Sequence, residues 1–216
     1  TVQLLRSALD SKVERFVCAS SGSVYGDVTV TPISEETPSN PVSPYAASKL
    51  AQELYCFTFY RTLGLPTVVL RYFNVYGPRQ SSVSGYSSVV PAFIRALMSG
   101  ERPVIYGDGE QSRDFVYVLD VVSANLLACE ANDAVGKSFN IGSGVKVSIN
   151  ALFFLIQRLT GKRIEAVNAP LRMGDVKQAQ ADISLAKRVL GYSPSYSLEE
   201  GLTATISWFQ EVLHTR

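Results

Sequence analysis

Tyr45 and Lys49 stand four residues apart in SPYAASKLAQELY, residues 43 to 55, and form the pair in this chain best suited to move a proton. Residues i and i+4 of a helix share a face. A tyrosine with a free pKa near 10 serves as a base near neutral pH only if its phenolate is stabilised by about 4 kcal/mol. An ammonium ~5 Å away, at an effective dielectric of about 20, supplies about 3 kcal/mol of that. Taken alone, the spacing is a weak signal and suits an ordinary surface ion or aromatic contact better. Its company gives it chemical meaning: SSGSVYG precedes it at residues 20 to 26, and LRYFNVYGPRQ follows at 70 to 80.

The elements that must position these residues are legible in outline. TVQLLRSALD has a helical apolar period, and RFVCASS is a short apolar run ending in small polar residues, the pattern of a central parallel strand. Residues 27 to 44, with four prolines, read as a loop. A helix over 44 to 63 stops at Gly64, and PTVVLRYF then gives a second buried strand. Helix, glycine, strand is the repeating unit of a doubly wound α/β sheet, whose ligands bind at the carboxyl ends of its strands. From residue 81 the pieces shorten. The spacing predicts a helix over 89 to 99, a hairpin-like PVIYGDGEQSRDFVYV, a helix over 118 to 131 and a strand KSFNIGS. After these come a helix over 148 to 160, a strand RIEAV, and helices near 183 to 190 and 198 to 213. GDGEQS and GSGVKV have the look of dinucleotide loops, but neither opens a helix directly after a strand, so both read as turns.

Composition narrows the function classes. With 216 residues and 46% hydrophobic content there is ample material for a buried core. Twenty basic against 19 acidic residues leave a net charge of +1, which predicts no steering towards nucleic acid or an anionic membrane. Residues 1 to 10 carry Arg6 and Asp10 in a helical pattern rather than a signal peptide's apolar stretch. Cys18, Cys56 and Cys129 are odd in number, scattered and set in apolar runs, as expected of buried reduced thiols in a cytoplasmic protein. With one histidine, His214, no metal-ligand spacing can be assembled from cysteine and histidine.

SSGSVYG, SPYAASK, LRYFNVYGPRQ, YGDGEQSRDFVYVLDVV and LRMGDVKQAQAD, in that order, resemble the motifs of the extended short-chain dehydrogenase/reductases. Within them the resemblance is to the NAD-dependent sugar-nucleotide epimerase/dehydratases of UDP-galactose 4-epimerase type, and it covers essentially the whole chain. It implies an α/β fold, a Rossmann-like doubly wound parallel sheet with a smaller α+β substrate-binding domain. Residues 1 to 80 would be the carboxyl-terminal half of the NAD-binding domain. Residues 81 to 216 would mainly bind the nucleotide sugar, with some segments returning to the sheet. The family's first strand, Gly-rich turn and helix have no counterpart in this sequence, so a longer native polypeptide, with roughly a hundred residues before residue 1, is the expectation.

The resemblance also assigns roles. Ser21, with Ser20 the neighbouring register, matches the hydroxyl that bonds the reacting sugar hydroxyl. Tyr45 matches the catalytic acid and base. Lys49 matches the residue that lowers its pKa, helped by a cationic nicotinamide, and that holds the nicotinamide ribose. Tyr72 and Phe73 match the segment beside the nicotinamide. Asn74 matches a contact to the substrate diphosphate, and Arg113 and Arg172 the two arginines that clamp the pyrophosphate, for which a bidentate guanidinium is suited. Asp175 matches the carboxylate on the uridine ribose, and Tyr106 a ring position near uracil, although core packing suits it nearly as well. The implied reaction is epimerisation at C4 of a UDP-hexose through a 4-keto sugar. Dehydratases of the family carry an Asp-Glu pair where this chain has Gly22 and Ser23, and decarboxylases usually a glutamate at Ser23, so neither activity is favoured. Ala179 matches a position where a small residue goes with acceptance of N-acetyl sugars. The alternatives are a UDP-uronate epimerase or decarboxylase, or a non-catalytic UDP-sugar-binding fragment without NAD. A homodimer through helices 1 to 10 and 44 to 63 is also implied.

Overall fold

The computed structural model describes residues 1–81, 88–171 and 176–214. Strands β1 (Phe16–Ser21) and β2 (Thr67–Tyr72) run in parallel with Cys18 opposite Val69 and Ser21 opposite Tyr72. β6 (Ser138–Ile141) joins the far edge of β2, also in parallel. Their apolar character follows from being covered on both faces. On one face α1 (Val2–Asp10) and α2 (Pro44–Leu63) enclose Leu5, Cys18, Cys56, Leu65 and Val69. On the other, α4 (Val118–Glu130) and α6 (Ser184–Leu190) pack against Val68, Leu70, Phe139 and Ile141.

The start and stop of α2 are written locally. Ser43 Oγ accepts from Ala46 N at 3.1 Å, Pro44 occupies the first turn where no N–H is needed, and Gly64 takes the left-handed φ of 73° that ends the helix. This sets Tyr45 in the first turn, at the carboxyl end of β1.

A second core is built by α3 (Val89–Met98), α5 (Ile149–Thr160) and α7 (Leu198–His214), which bury Phe93, Ile94, Leu152, Ile156, Leu202 and Phe209. β3 (Asn74–Tyr76) continues from β2 after Phe73 and pairs in parallel with β5 (Ser112–Tyr117), which pairs antiparallel with β7 (Lys146–Ser148). β4 (Val104–Tyr106) pairs in parallel with β8 (Val167–Ala169). The architecture is the expected α/β fold, with a three-stranded parallel sheet, a smaller mixed sheet and a two-stranded parallel one.

Three local expectations are corrected. PVIYGDGEQSRDFVYV is no hairpin, because β4 and β5 belong to different sheets. Gly107 and Gly109 take φ of 74° and 78°, and Asn150 N donates to Gly109 O at 3.0 Å, which turns β5 towards β3 and β7. RIEAV supplies strand only from Val167, because the Arg102 guanidinium donates to the carbonyls of Glu165 and Ala166, each at 3.2 Å. Cys18 and Cys56 are buried, but Cys129 is exposed on the outer side of α4; all three are free thiols. Among the described residues no helix is long and apolar enough to cross a membrane.

Candidate active site

A cavity of about 200 Å³ lies at the carboxyl ends of β1 and β2, lined by Ser21, Tyr72, Phe73, Asn74, Arg113 and Ala179 among others. Ser21 ends β1 and caps the 3-10 turn Gly22–Tyr25, its Oγ accepting from Ser23 N at 3.2 Å and from the Ser23 hydroxyl at 2.9 Å. With both lone pairs engaged, its O–H is left to donate to a ligand. Gly22 matters here for its bareness. A Cβ on it would come within 3.1 Å of the Phe73 ring, so an acidic side chain at this position would require the ring to move.

Lys49 Nζ donates to Ala19 O at 2.9 Å and lies 5.8 Å from the centroid of the Tyr45 ring. The pair therefore shares one face of α2 and is tied to β1 two residues before Ser21. Tyr45 is 51% exposed, open to a ligand. Two other phenols near these strand ends differ. Burial pushes Tyr25 up to about 12 against the pull of Arg71, and burial likewise raises Tyr72, whose hydroxyl donates to Asn125 at 2.9 Å. Both stay protonated and engaged near neutral pH.

β3 and β5 bring the remaining lining residues together. Asn74 pairs with Phe115, which sets Arg113 on the adjacent strand, two residues back. Ala179 N donates to Ser112 O at 3.1 Å, holding its segment along β5. The Asp114 carboxylate accepts from Ser143 N and Oγ, both at 2.7 Å, from Gly144 N at 2.9 Å and from Ala181 N at 3.0 Å. Burial raises its pKa, and these four donors oppose the rise.

Thus Ser21, Tyr72, Phe73, Asn74, Arg113 and Ala179 meet at one cavity, whereas Tyr45 and Lys49 do not line it and are linked to it through the bond of Lys49 to Ala19, two residues before Ser21. Tyr106 ends β4 in the two-stranded sheet and does not line this cavity. Arg172 and Asp175 lie outside the described residues. Reading the sequence missed the Ser23 hydroxyl, Asp114, and a buried cluster beneath the site made by Ser20, Tyr25, Glu53, Arg71 and Asn140. Glu53 alone had a signal, since it extends the four-residue spacing of Tyr45 and Lys49.

Residues 1–142 match the model of the NAD dependent epimerase/dehydratase family. The chain belongs to this family. The UDP-glucose 4-epimerase of Mycolicibacterium smegmatis is 39% identical over 211 residues, 97% of this chain and 67% of that protein. Among solved structures, the UDP-glucose 4-epimerase of Thermotoga maritima with UDP-glucose has a TM-score of 0.93 at 43% identity, covering 97% of this chain and 68% of that one. The UDP-N-acetylglucosamine 4-epimerase of Methanobrevibacter ruminantium, in complex with UDP-N-acetylmuramic acid, has a TM-score of 0.94 at 39% identity, covering 98% and 67%. The chain thus spans about two thirds of the length of these family members.

Proposed function

We propose that this chain carries the catalytic face and the sugar site of an NAD-dependent UDP-hexose 4-epimerase. The observation that carries the reading is the Tyr45 and Lys49 pair on one face of α2, tied to β1 two residues before Ser21, which itself lines the cavity of Phe73, Asn74, Arg113 and Ala179. An exposed phenol and an ammonium beside the ring-bearing Tyr72–Phe73 segment fit a nicotinamide riboside, with donors for the ribose hydroxyls and ring faces for the base. Bound there, NAD would supply a reversible hydride acceptor for the sugar C4, with the hydride leaving one face and returning to the other.

The chain's own residues supply the proton chemistry. Tyr45 removes the proton of the C4 hydroxyl as a 4-keto sugar forms, and gives it back on reversal. Lys49 holds the developing phenolate by its charge. Ser21, with both lone pairs engaged by Ser23, hydrogen-bonds the C4 oxygen. Arg113 is suited to the substrate's phosphates and Asn74 to the same diphosphate. Gly22 and Ser23 offer no acid or base for dehydration.

A coupled assay with UDP-galactose and UDP-N-acetylgalactosamine tests this, alongside calorimetry with UDP and with NAD. Interconversion with binding of both ligands supports the reading, whereas binding of UDP alone without turnover marks a non-catalytic sugar-nucleotide binder. Ala179, small and in the cavity wall, leaves room for an N-acetyl group. Ala179→Tyr is therefore expected to lower turnover of N-acetylated against plain UDP-hexoses at least about tenfold; an unchanged ratio contradicts the assignment.

The reading includes a cytoplasmic homodimer. Leu4 on α1 and the neighbouring Leu54 and Tyr55 on α2 are exposed apolar side chains on the two helices that would pair into a bundle. Sedimentation at twice the monomer mass is expected, and a monomer at micromolar concentration contradicts it.

A further inference from the structure

Glu53 lies beneath the site in an unusual state for a carboxylate: 0% exposed and fully engaged. Arg71 clamps it, with Nε 3.0 Å from Oε1 and 3.2 Å from Oε2, and Nη2 2.6 Å from Oε2. Ser20 Oγ donates to Oε1 in a short hydrogen bond. Arg71 Nη1 donates to the Tyr25 hydroxyl at 2.7 Å, which in turn donates to Asn140 Oδ1 at 2.7 Å. Burial works against the Arg71 charge, but its hydrogen bonds to Glu53 and contact with Tyr25 outweigh this and hold it above its ordinary range. With its oxygens occupied by these donors, Glu53 has no part in proton transfer.

Its place on the helix is what matters. Tyr45, Lys49 and Glu53 follow one another at intervals of four, a single stripe about 12 Å long down α2. That stripe touches β1 at the two residues that precede Ser21: Lys49 at the carbonyl of Ala19 and Glu53 at the hydroxyl of Ser20. Beyond it, Thr67 Oγ1 of β2 donates to the carbonyl of Cys56 at 3.0 Å, and the remaining packing of α2 on the sheet in this region is apolar, through Cys18, Cys56 and Val69. Apolar packing sets the separation of helix and sheet but tolerates a small slide or rotation. A clamped carboxylate does not.

We propose that Glu53 is a positioning residue: locked by Arg71 and Ser20, it fixes the rotation of α2 against β1 and so the reach of Tyr45 towards the sugar carbon beside Ser21. This rests on the epimerase reading above. Buried ion pairs are often replaceable by apolar side chains without loss of stability, so a merely structural pair would be dispensable to the reaction.

The test uses the NAD-loaded protein and two variants, with steady-state turnover of UDP-galactose, UDP calorimetry and thermal unfolding as readouts. Ser20→Ala removes one tie and leaves the ion pair. It is expected to lower kcat about tenfold with KM and UDP affinity within about twofold of the parent. The double variant Glu53→Leu/Arg71→Met replaces the pair by apolar groups. It is expected to melt within a few degrees of the parent yet lose about 100-fold in kcat at unchanged KM. Either variant folded with kcat within about twofold of the parent overturns the proposal, and if the double variant fails to fold, Ser20→Ala decides alone. A parent that binds UDP and NAD but does not epimerise overturns the functional reading itself, and the proposal with it.

Discussion

Tyr45→Phe is expected to lower turnover of UDP-galactose by about 10³-fold or more while leaving UDP affinity within about twofold of the parent. A positioned acid–base group is worth about 10² to 10⁴ in rate, and the described residues around it offer no substitute. Tyr25 and Tyr72 are held protonated by burial and bonded to Asn140 and Asn125. Glu53 is saturated by Arg71 and Ser20, and Asp114 by four donors on the far side of β5. A hydroxyl such as Ser21 is too weak a base. The change removes one oxygen from a ring that is 51% exposed, so the fold should be untouched. In the proposed reading UDP is held elsewhere, on the side of Arg113, so its affinity should survive. Coupled turnover assays with calorimetry decide the matter, and a variant retaining more than a tenth of the activity requires a different base.

Asp114→Ala is expected to carry the largest cost in stability, about 3–5 kcal/mol, read as a fall in melting temperature of about 10 °C or more. The carboxylate joins three separate segments: β5, the loop at Ser143 and Gly144, and the strand-like stretch at Ala181. Alanine would leave three backbone N–H groups and a hydroxyl to find new partners in a buried place. Gly142 leaves room for this arrangement, since a Cβ on it would sit 2.8 Å from Asp114 Oδ2. Asp114→Asn, with one acceptor oxygen in place of two, is expected to fall between parent and alanine. Because Ala179 lies two residues from Ala181, the weakened variants should also bind UDP-sugars less tightly. A melting temperature within about 2 °C of the parent would show that Asp114 is not the joint it is taken to be.

What could be read from the sequence divides along the range of the interactions. The limits of α2 are set by Ser43, Pro44 and Gly64 within the helix's own ends, and the apolar runs of β1 and β2 announce their burial. The Tyr45 and Lys49 pair needs only helical geometry, and it appears as expected on one face. Strand partnership is another matter. β4 looks to its neighbour β5 along the chain, yet its partner β8 lies some 60 residues on, and nothing local in PVIYGDGEQSRDFVYV reveals it. The same holds for the buried cluster, where Tyr25 meets Asn140 across 115 positions. Arg71 and Glu53 sit in motifs that drew notice for other residues, Phe73 and Asn74 in one case and Lys49 in the other. Charged residues in such segments read as solvated until their partners are seen. In the sequence Ser23 reads only as the lack of an acid, whereas in the structure its N–H and hydroxyl both donate to Ser21 Oγ.

The central claim is that Tyr45, backed by Lys49 and facing the ring carbon beside Ser21, drives an oxidation and re-reduction confined to the sugar's C4. Its most direct measurement follows deuterium placed at C4 of UDP-galactose through conversion by the NAD-loaded protein. The account predicts UDP-glucose that keeps the deuterium at C4, formed by the parent and not by Tyr45→Phe. Product with the label lost to solvent, or equal turnover by the two proteins, would contradict it.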